Sequence, residues 1–325
     1  MPASISTIGV MTSGGDAPGM NPCIRAVVRT ALSRQLKVVG VIGGFEGLLH
    51  GHFKALGPRD VGGIIGRGGT ILETRRSEEF REAHGQREAL RQMNNAGMDG
   101  LIVIGGDGSL AGAHRLAELG KPVVGIPASI ENDIFGTDMC IGVDTALNTV
   151  CEAVDKLRDT ASALSRAFLI EVMGRQSGYL AVMAGIIGGA EMVLIPEHPA
   201  PVEEIGAAIE DAYRRGKAHA LILVAEGFPI PATELASSLS GMGIGFAPRV
   251  SMLGYIQRGG SPSAFDRSLA TRMGVKAVDL LLAGESDVMV VLDGRDLAPF
   301  PLAEAAGKRR EVSQEIYDLT RMLAR

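Results

Sequence analysis

The chain has 325 residues, of which 46% are hydrophobic and 21% charged, a globular composition long enough for about two domains. Its net charge of −5 argues against a nucleic-acid partner held by a general basic field, so any anion site must be local. The three cysteines, Cys23, Cys140 and Cys151, show no paired spacing, which argues against a disulfide framework or a CxxC metal site.

In chain order, Ile8 to Met11 reads as a strand, followed by glycines and then by Ile24 to Leu32 at helical spacing. Val38 to Ile42 is a second strand-like run, and Arg81 to Met93 a charged helix. Leu101 to Ile104 reads as a strand, Leu110 to Leu119 as a helix and Val123 to Ile126 as a strand. Leu147 to Leu157 is helical and Phe168 to Val172 a strand. Met192 to Ile195 and Leu221 to Ala225 are further strands, flanking a helical stretch from Val202 to Tyr213. Phe228 to Phe246, rich in Gly, Ser and Pro, reads as the most loop-like region of the second half. This βαβα order predicts parallel sheets covered by helices. Met1 to Val10 lacks the basic region and long apolar run of a signal peptide, and no apolar run approaches the ~20 residues of a membrane span. The expectation is a cytoplasmic protein with no membrane partner.

Four groups of residues point to chemistry. Thr12-Ser13-Gly14-Gly15-Asp16-Ala17-Pro18-Gly19-Met20-Asn21 joins a strand to a helix, where backbone N–H groups and the helix N-terminus attract an anion. A lone Gly-Gly is more often an ordinary turn, and Ser13 and Asp16 tip the balance toward phosphate contact. Gly105-Gly106-Asp107-Gly108-Ser109 is a second strand-to-helix turn. Asp107 there is either a helix cap or a Mg²⁺ ligand working together with nucleotide phosphates. Pro127-Ala128-Ser129-Ile130-Glu131-Asn132-Asp133 ends a buried strand in a hydroxyl and two carboxylates. One acid could accept a hydroxyl proton while the other organises metal or backbone; alone, the segment reads better as an Asx-type turn. Arg166, Arg175, Arg249 and Arg258 follow or flank apolar runs, and arginine binds phosphate bidentately.

Together these motifs resemble the bacterial ATP-dependent 6-phosphofructokinase family. The likeness runs in order through TSGGDAPGMN at Thr12, GGT at Gly68, GGDGS at Gly105, IENDI at Ile130, GTD at Gly136, EVMGR at Glu171, AEG at Ala225 and IQRGGSP at Ile256. The resemblance implies phosphorylation of the 1-hydroxyl of fructose 6-phosphate by ATP with Mg²⁺. It implies an α/β fold of two doubly wound three-layer domains with mostly parallel sheets. A nucleotide domain would take residues 1–142 plus 257–305, and a sugar-phosphate domain residues 143–256 plus 306–325. It places nucleotide contacts at Gly15, Arg76, Ser77, Arg81, Gly106, Gly108 and Ser109, with Asp107 on the metal. Glu131 falls on the catalytic base, with Asp133, Ser129, Gly14, Arg76 and Arg175 around the transferring group. Ile130, Met173, Gly174, Glu226, Arg166, Arg249, Tyr255 and Arg258 match the sugar phosphate. In this family Arg166 and Arg249 reach in from a neighbouring subunit, so a homo-oligomer, usually a tetramer, is implied. Arg25, Arg29, Arg158, Glu191, Arg215 and Lys217 match an effector site for ADP or phosphoenolpyruvate.

The sequence departs from that pattern mostly at the acceptor end. Glu131 stands for Asp, Ser129 for Thr, Ala128 for Gly and Tyr255 for His. Ser77 stands for an aromatic, Pro58 for an effector-site Arg, and Ala218 for a second lysine. A sugar-phosphate kinase with a shifted acceptor, and a weakly active regulatory paralogue, are the competing readings. Pyrophosphate-using relatives carry Asp after GGD and Lys before the catalytic hydroxyl. Gly108 and Ala128 occupy those positions here and favour ATP.

Overall fold

A computed structural model describes residues 5–324. Residues 1–4, part of the stretch read for a signal peptide, and residue 325, the end of the predicted sugar-phosphate domain, lie outside them. The chain forms two compact units, each assembled from three segments. The first holds Met1–Ile130, Ile134–Thr145 and Arg258–Arg310, and the second Glu131–Asp133, Ala146–Gln257 and Glu311–Arg325.

The first unit opens with β1 (Thr7–Ser13), α1 (Met20–Ser33), β2 (Lys37–Val41), α2 (Gly44–Leu49), β3 (Phe53–Ala55), α3 (Ala83–Asn95), β4 (Gly100–Gly105), α4 (Asp107–Glu118) and β5 (Val123–Pro127). Helix α5 (Val143–Leu164) has its first three residues in this unit and the rest in the second. The second unit continues with β6 (Arg166–Val172), α6 (Tyr179–Gly188), β7 (Met192–Leu194), α7 (Val202–Arg214), β8 (Ala220–Ala225), α8 (Ala232–Ser240) and β9 (Ala247–Met252). The chain then returns to the first unit for α9 (Ala264–Leu282), β10 (Val288–Asp293), β11 (Asp296–Pro301) and α10 (Leu302–Ala305). It ends in the second with α11 (Gln314–Leu323).

The first unit's sheet runs β11-β10-β5-β4-β1-β2-β3 and is parallel except for the two antiparallel edges, β3 and β11. Every residue of β4 and β5 is buried. Continuous burial is what a parallel strand covered on both faces demands, and it is why Leu101 to Ile104 and Val123 to Ile126 read as unbroken apolar runs. Helix α1 buries Ile24, Val27, Val28 and Ala31 along one stripe and packs against α9. The two helices approach closely because Gly274 has no side chain: a Cβ there would lie 2.8 Å from Ala26 Cβ and 2.9 Å from Cys23 O. Strand β1 pairs with both β2 and β4, so the strand order reverses between β1 and β4. A doubly wound sheet binds its ligand at such a switch point, beyond the strands' C-terminal ends.

The second unit's sheet, β7-β8-β6-β9, is wholly parallel. Its core joins Leu169, Ile222 and Val224 of the sheet to Ile205 and Ile209 of α7 and to Leu235 and Leu239 of α8. Among the described residues no helix is long and apolar enough to cross a membrane.

Three expectations need correction. The loop-like stretch Phe228 to Phe246 contains α8, whose Leu235 and Leu239 are fully buried; its serines lie on exposed or half-buried positions and hydrogen-bond back to carbonyls one turn earlier. The predicted helix from Arg81 breaks in two: Glu79–Arg81 is a 3₁₀ turn, Glu82 is extended, and α3 starts at Ala83. Finally, α5 starts at Val143, four residues before the predicted Leu147. The reason for that early start is tertiary and is taken up below.

Candidate active site

The first unit brings two glycine turns to adjacent strand ends. Ser13 closes β1 directly beside Gly105, which closes β4, and Gly105 in turn lies beside Pro127 at the end of β5. Gly14 has φ +84°, a conformation that suits glycine, and a Cβ on it would sit 3.0 Å from Ser109 Oγ. Gly105 is more tightly enclosed, since its Cβ would meet Ser13 O at 2.5 Å and Ser109 Oγ at 2.7 Å. Gly108 differs: nothing lies within 4 Å of the place its Cβ would take. The two turns thus interlock through Ser109 and leave open space in front of Gly108.

Asp107 is the first residue of α4, after Gly106 as N-cap, and it is half-buried. A carboxylate there is favoured by the helix dipole. Among the described residues no cluster of three or more His, Cys, Asp or Glu could cage a metal. One carboxylate next to the open space at Gly108 is a donor set that suits Mg²⁺ carried in by a nucleotide, since Mg²⁺ takes one or two carboxylates plus phosphate oxygens and water.

The segment carrying Arg76 is tied to the first glycine turn. Thr74 Oγ1 donates to Gly14 O at 2.7 Å, and Thr12 Oγ1 donates to Glu73 O at 2.8 Å. Arg76 is exposed, Ser77 Oγ accepts from Phe80 N at 3.4 Å, and Arg81 makes a solvent-exposed ion pair with Glu78. Arg258 also comes to this turn. Its Nη1 donates to Asp16 O at 3.4 Å, and a Cβ on Gly15 would fall 1.9 Å from the same nitrogen. An arginine expected among the sugar-phosphate contacts is therefore placed against the first unit's phosphate-type loop.

The second unit gathers the acids. Glu131 is 5% exposed and its Oε1 lies 3.2 Å from Arg175 Nε. Two tight turns hold that pair. Ser177 N donates to Gly174 O at 2.7 Å and Ser177 Oγ to Glu131 O at 3.1 Å, while Arg175, at φ +49°, donates its backbone N–H to Glu226 Oε1 at 2.7 Å. Gly227 lets the next turn lie flat on this one, since a Cβ there would sit 1.7 Å from Arg175 O. Met173 N donates to Oε1 of the fully buried Gln257, which also anchors the turn bearing the exposed Tyr255. Asp133 is half-buried beside Asn132, whose φ is +48°. Ser129 and buried Ile130 close the first unit's side of this segment, with Ser129 N donating to Ile141 O.

The remaining predicted residues are less gathered. Arg166 opens β6, whereas Met173, Gly174 and Arg175 follow its other end, about 20 Å away at ~3.3 Å per residue. Arg249 stands on β9 opposite Phe168, exposed, with Nη1 donating to Pro248 O. Of the effector candidates, Arg29 in the first unit donates to Pro58 O at 3.1 Å, and Arg25 is half-buried one turn earlier on α1. In the second unit Glu191 and Arg215 line a cavity of about 430 Å³ together with His198, Asp211, Tyr317 and Arg321. Lys217 Nζ donates to Glu191 Oε1 and to Ala324 O, and Arg158 donates to Gly188 O. Ser177, Gly227 and Gln257 received no role in the sequence reading, although AEG contains Gly227, IQRGGSP contains Gln257, and Ser177 follows EVMGR by two residues.

The comparisons with known proteins show the family of this chain. The sequence pattern of the phosphofructokinase family matches residues 7–281, and the chain belongs to that family. It is 52% identical over 318 residues to an ATP-dependent 6-phosphofructokinase of Thermotoga petrophila, covering 98% of this chain and 99% of that one. It is 49% identical over 317 residues to the ATP-dependent 6-phosphofructokinase of Natranaerobius thermophilus, with the same coverage of both chains. Among solved structures, phosphofructokinase from Saccharomyces cerevisiae is similar with TM-score 0.86 and 39% identity, over 92% of this chain and 45% of that longer one. A pyrophosphate-dependent phosphofructokinase from Marinobacter aquaeolei shares the fold, with TM-score 0.87 over 98% of this chain and 92% of that one at 20% identity.

Proposed function

We propose that this enzyme transfers the terminal phosphoryl group of ATP to the 1-hydroxyl of fructose 6-phosphate, the committed phosphorylation of glycolysis, giving fructose 1,6-bisphosphate and ADP. The observation that carries this reading is the buried Glu131 carboxylate held by Arg175, the arrangement of a positioned base beside a phosphate-binding cation. Glu131 accepts the hydroxyl proton as the oxygen attacks. Arg175 orients that carboxylate and lends positive charge to the transferring group, and Glu226 fixes Arg175 through its backbone N–H. Gly14, Gly15 and the N-terminus of α4 cradle the donor phosphates with backbone N–H groups. Arg76 and Arg258 add charge there. The open space at Gly108 and the small Ala128 support ATP over pyrophosphate as donor.

Asp107 would hold Mg²⁺, which when bound neutralises phosphate charge as the bond to the leaving oxygen breaks. The first unit then serves as the nucleotide-binding half and the second as the sugar-phosphate half. Arg166 and Arg249 lie away from Arg175 along the strands, which supports their serving a neighbouring copy in a homo-oligomer such as a tetramer. The cavity at Glu191 and Arg215 supports an ADP or phosphoenolpyruvate effector site, and a cytoplasmic location belongs to the same reading.

Measuring ADP release with ATP, Mg²⁺ and fructose 6-phosphate tests the assignment, with pyrophosphate and other sugar phosphates alongside. Glu131→Ala should lower kcat ~10²- to 10⁴-fold while fructose 6-phosphate still binds. Unchanged turnover in that variant would remove Glu131 from the mechanism.

A further inference from the structure

The sequence Ser263-Ala264-Phe265-Asp266 has the form of a capping box opening α9, in which the fourth residue would turn back onto its own helix. Only half of that happens. Ser263 Oγ accepts from Asp266 N at 3.2 Å, capping α9 as expected. The Asp266 carboxylate, fully buried, turns instead to α5: Oδ1 accepts from Gly142 N at 2.8 Å, and Oδ2 accepts from Thr145 N at 2.8 Å and Thr145 Oγ1 at 2.5 Å. Ser263 reciprocates, donating through Oγ to Asp144 Oδ2 at 2.5 Å and through N to Thr145 Oγ1 at 3.0 Å. The start of α5 is thus capped by Asp266 of α9, while α9 keeps its own Ser263 cap, and α5 begins at Val143 because Asp266 satisfies the N–H groups on either side of that residue.

The network sits at the neck of the segment that carries Ser129, Glu131 and Asp133. That segment leaves the end of β5 and returns at Ile141, where Ala128 and Ile141 form a bridge: Ile141 N donates to Pro127 O and Ser129 N to Ile141 O. Gly142, the next residue, donates to Asp266. The phosphate-type loop packs on the same point. A Cβ on Gly142 (φ +105°) would lie 2.7 Å from Ala17 Cβ, and one on Gly19 (φ +118°) would lie 2.4 Å from Ile141 Cγ2 and 3.7 Å from Asp266 Cβ. One buried carboxylate therefore fixes the return strand of the candidate catalytic segment where the end of the candidate donor loop rests on it.

We infer that Asp266 is a positioning residue for phosphoryl transfer, acting through Gly142 and Thr145 on the segment bearing Ser129 and Glu131 and on the Gly14–Gly19 loop. The inference rests on the reaction proposed above. Asp266→Asn turns one acceptor oxygen into an amide facing N–H donors. Displacing reacting groups by ~1 Å costs ~100-fold in rate, so kcat per folded enzyme should fall roughly 10- to 100-fold, with KM for ATP and for fructose 6-phosphate within about 3-fold.

A second pair guards against misfolding: Thr145→Val removes the hydroxyl at constant shape and should lower kcat roughly 3- to 10-fold, and Thr145→Ser, which keeps the hydroxyl, should recover most of it. Enzyme concentration is normalised to folded protein, well below each variant's melting temperature. A fall in melting temperature with kcat unchanged in Asp266→Asn and Thr145→Val would make the network structural only and overturn the inference. If wild-type chain released no ADP with ATP, Mg²⁺ and fructose 6-phosphate, the proposed reaction would fall first and the positioning role with it.

Discussion

The candidate functional groups of the two units are built from different materials. In the first unit the contacts offered to a ligand are mostly backbone, and what matters is the absence of side chains: Gly14 and Gly105 interlock over Ser109, and Gly108 faces open space. In the second unit the candidate groups are mostly charged side chains, and a glycine such as Gly227 lets turns pack, here against Arg175 O. A polyphosphate is bound by many equivalent N–H groups that need no titration, whereas removing a proton from one hydroxyl needs a single carboxylate in a defined place. A substitution in the first unit's glycine turns should therefore act on donor affinity, and one among the second unit's charged groups on turnover.

The sharpest way to break that contrast is Arg175→Ala. It should lower kcat ~10²- to 10³-fold, the usual effect of losing one charge-stabilising donor, with KM for ATP little changed in steady-state kinetics. A rise in KM for ATP of the same size would place Arg175 on the donor instead. A smaller effect is expected from Gly15→Ala, whose new Cβ would push Arg258 Nη1 from its place at 1.9 Å. The guanidinium is a flexible end and gives way, so the penalty is that of modest overpacking, ~1–2 kcal/mol, or roughly a 10-fold rise in KM for ATP. A pure loss of kcat in that variant would erase the distinction between the halves.

The smallest effect concerns stability. Burial pushes the Asp266 carboxyl above its ordinary value, outweighing the lowering by its Thr145 and Gly142 donors. A group raised in the folded state contributes stability that is full below its unfolded pKa, near 3.9, and is lost as pH rises through the folded value. Relative to Asp266→Asn, the wild-type chain should therefore lose melting temperature as pH rises from about 4 toward neutrality. A difference that instead grows with pH would show that the surrounding N–H donors hold the carboxylate ionised.

Much of this protein was legible in its sequence. Fully buried parallel strands must be apolar along their whole length, so β4 and β5 could be read from Leu101 to Ile104 and Val123 to Ile126 without further context. The glycine turns after β1 and β4 were legible for a related reason: conformations such as that of Gly14 suit few other residues. The order of motifs then implied the family.

Tertiary structure decided what depends on residues far apart in the chain. The pairing of Glu131 with Arg175 joins positions 44 apart (175 − 131), and no local pattern specifies it. Arg258, expected by motif among the sugar-phosphate contacts, reaches Asp16 O of the Thr12–Asn21 turn because its backbone returns to the first unit at that residue. The serine-rich α8 looked like a loop because serine competes with helical hydrogen bonds, and the burial of Leu235 and Leu239 overrides that preference. Asp266 shows the division most plainly. Its sequence dictates that a carboxylate will stand three residues after a helix-capping serine. Only the packing of α9 beside the start of α5 decided which helix that carboxylate would cap, because a buried acceptor turns to the unsatisfied N–H groups nearest to it in space.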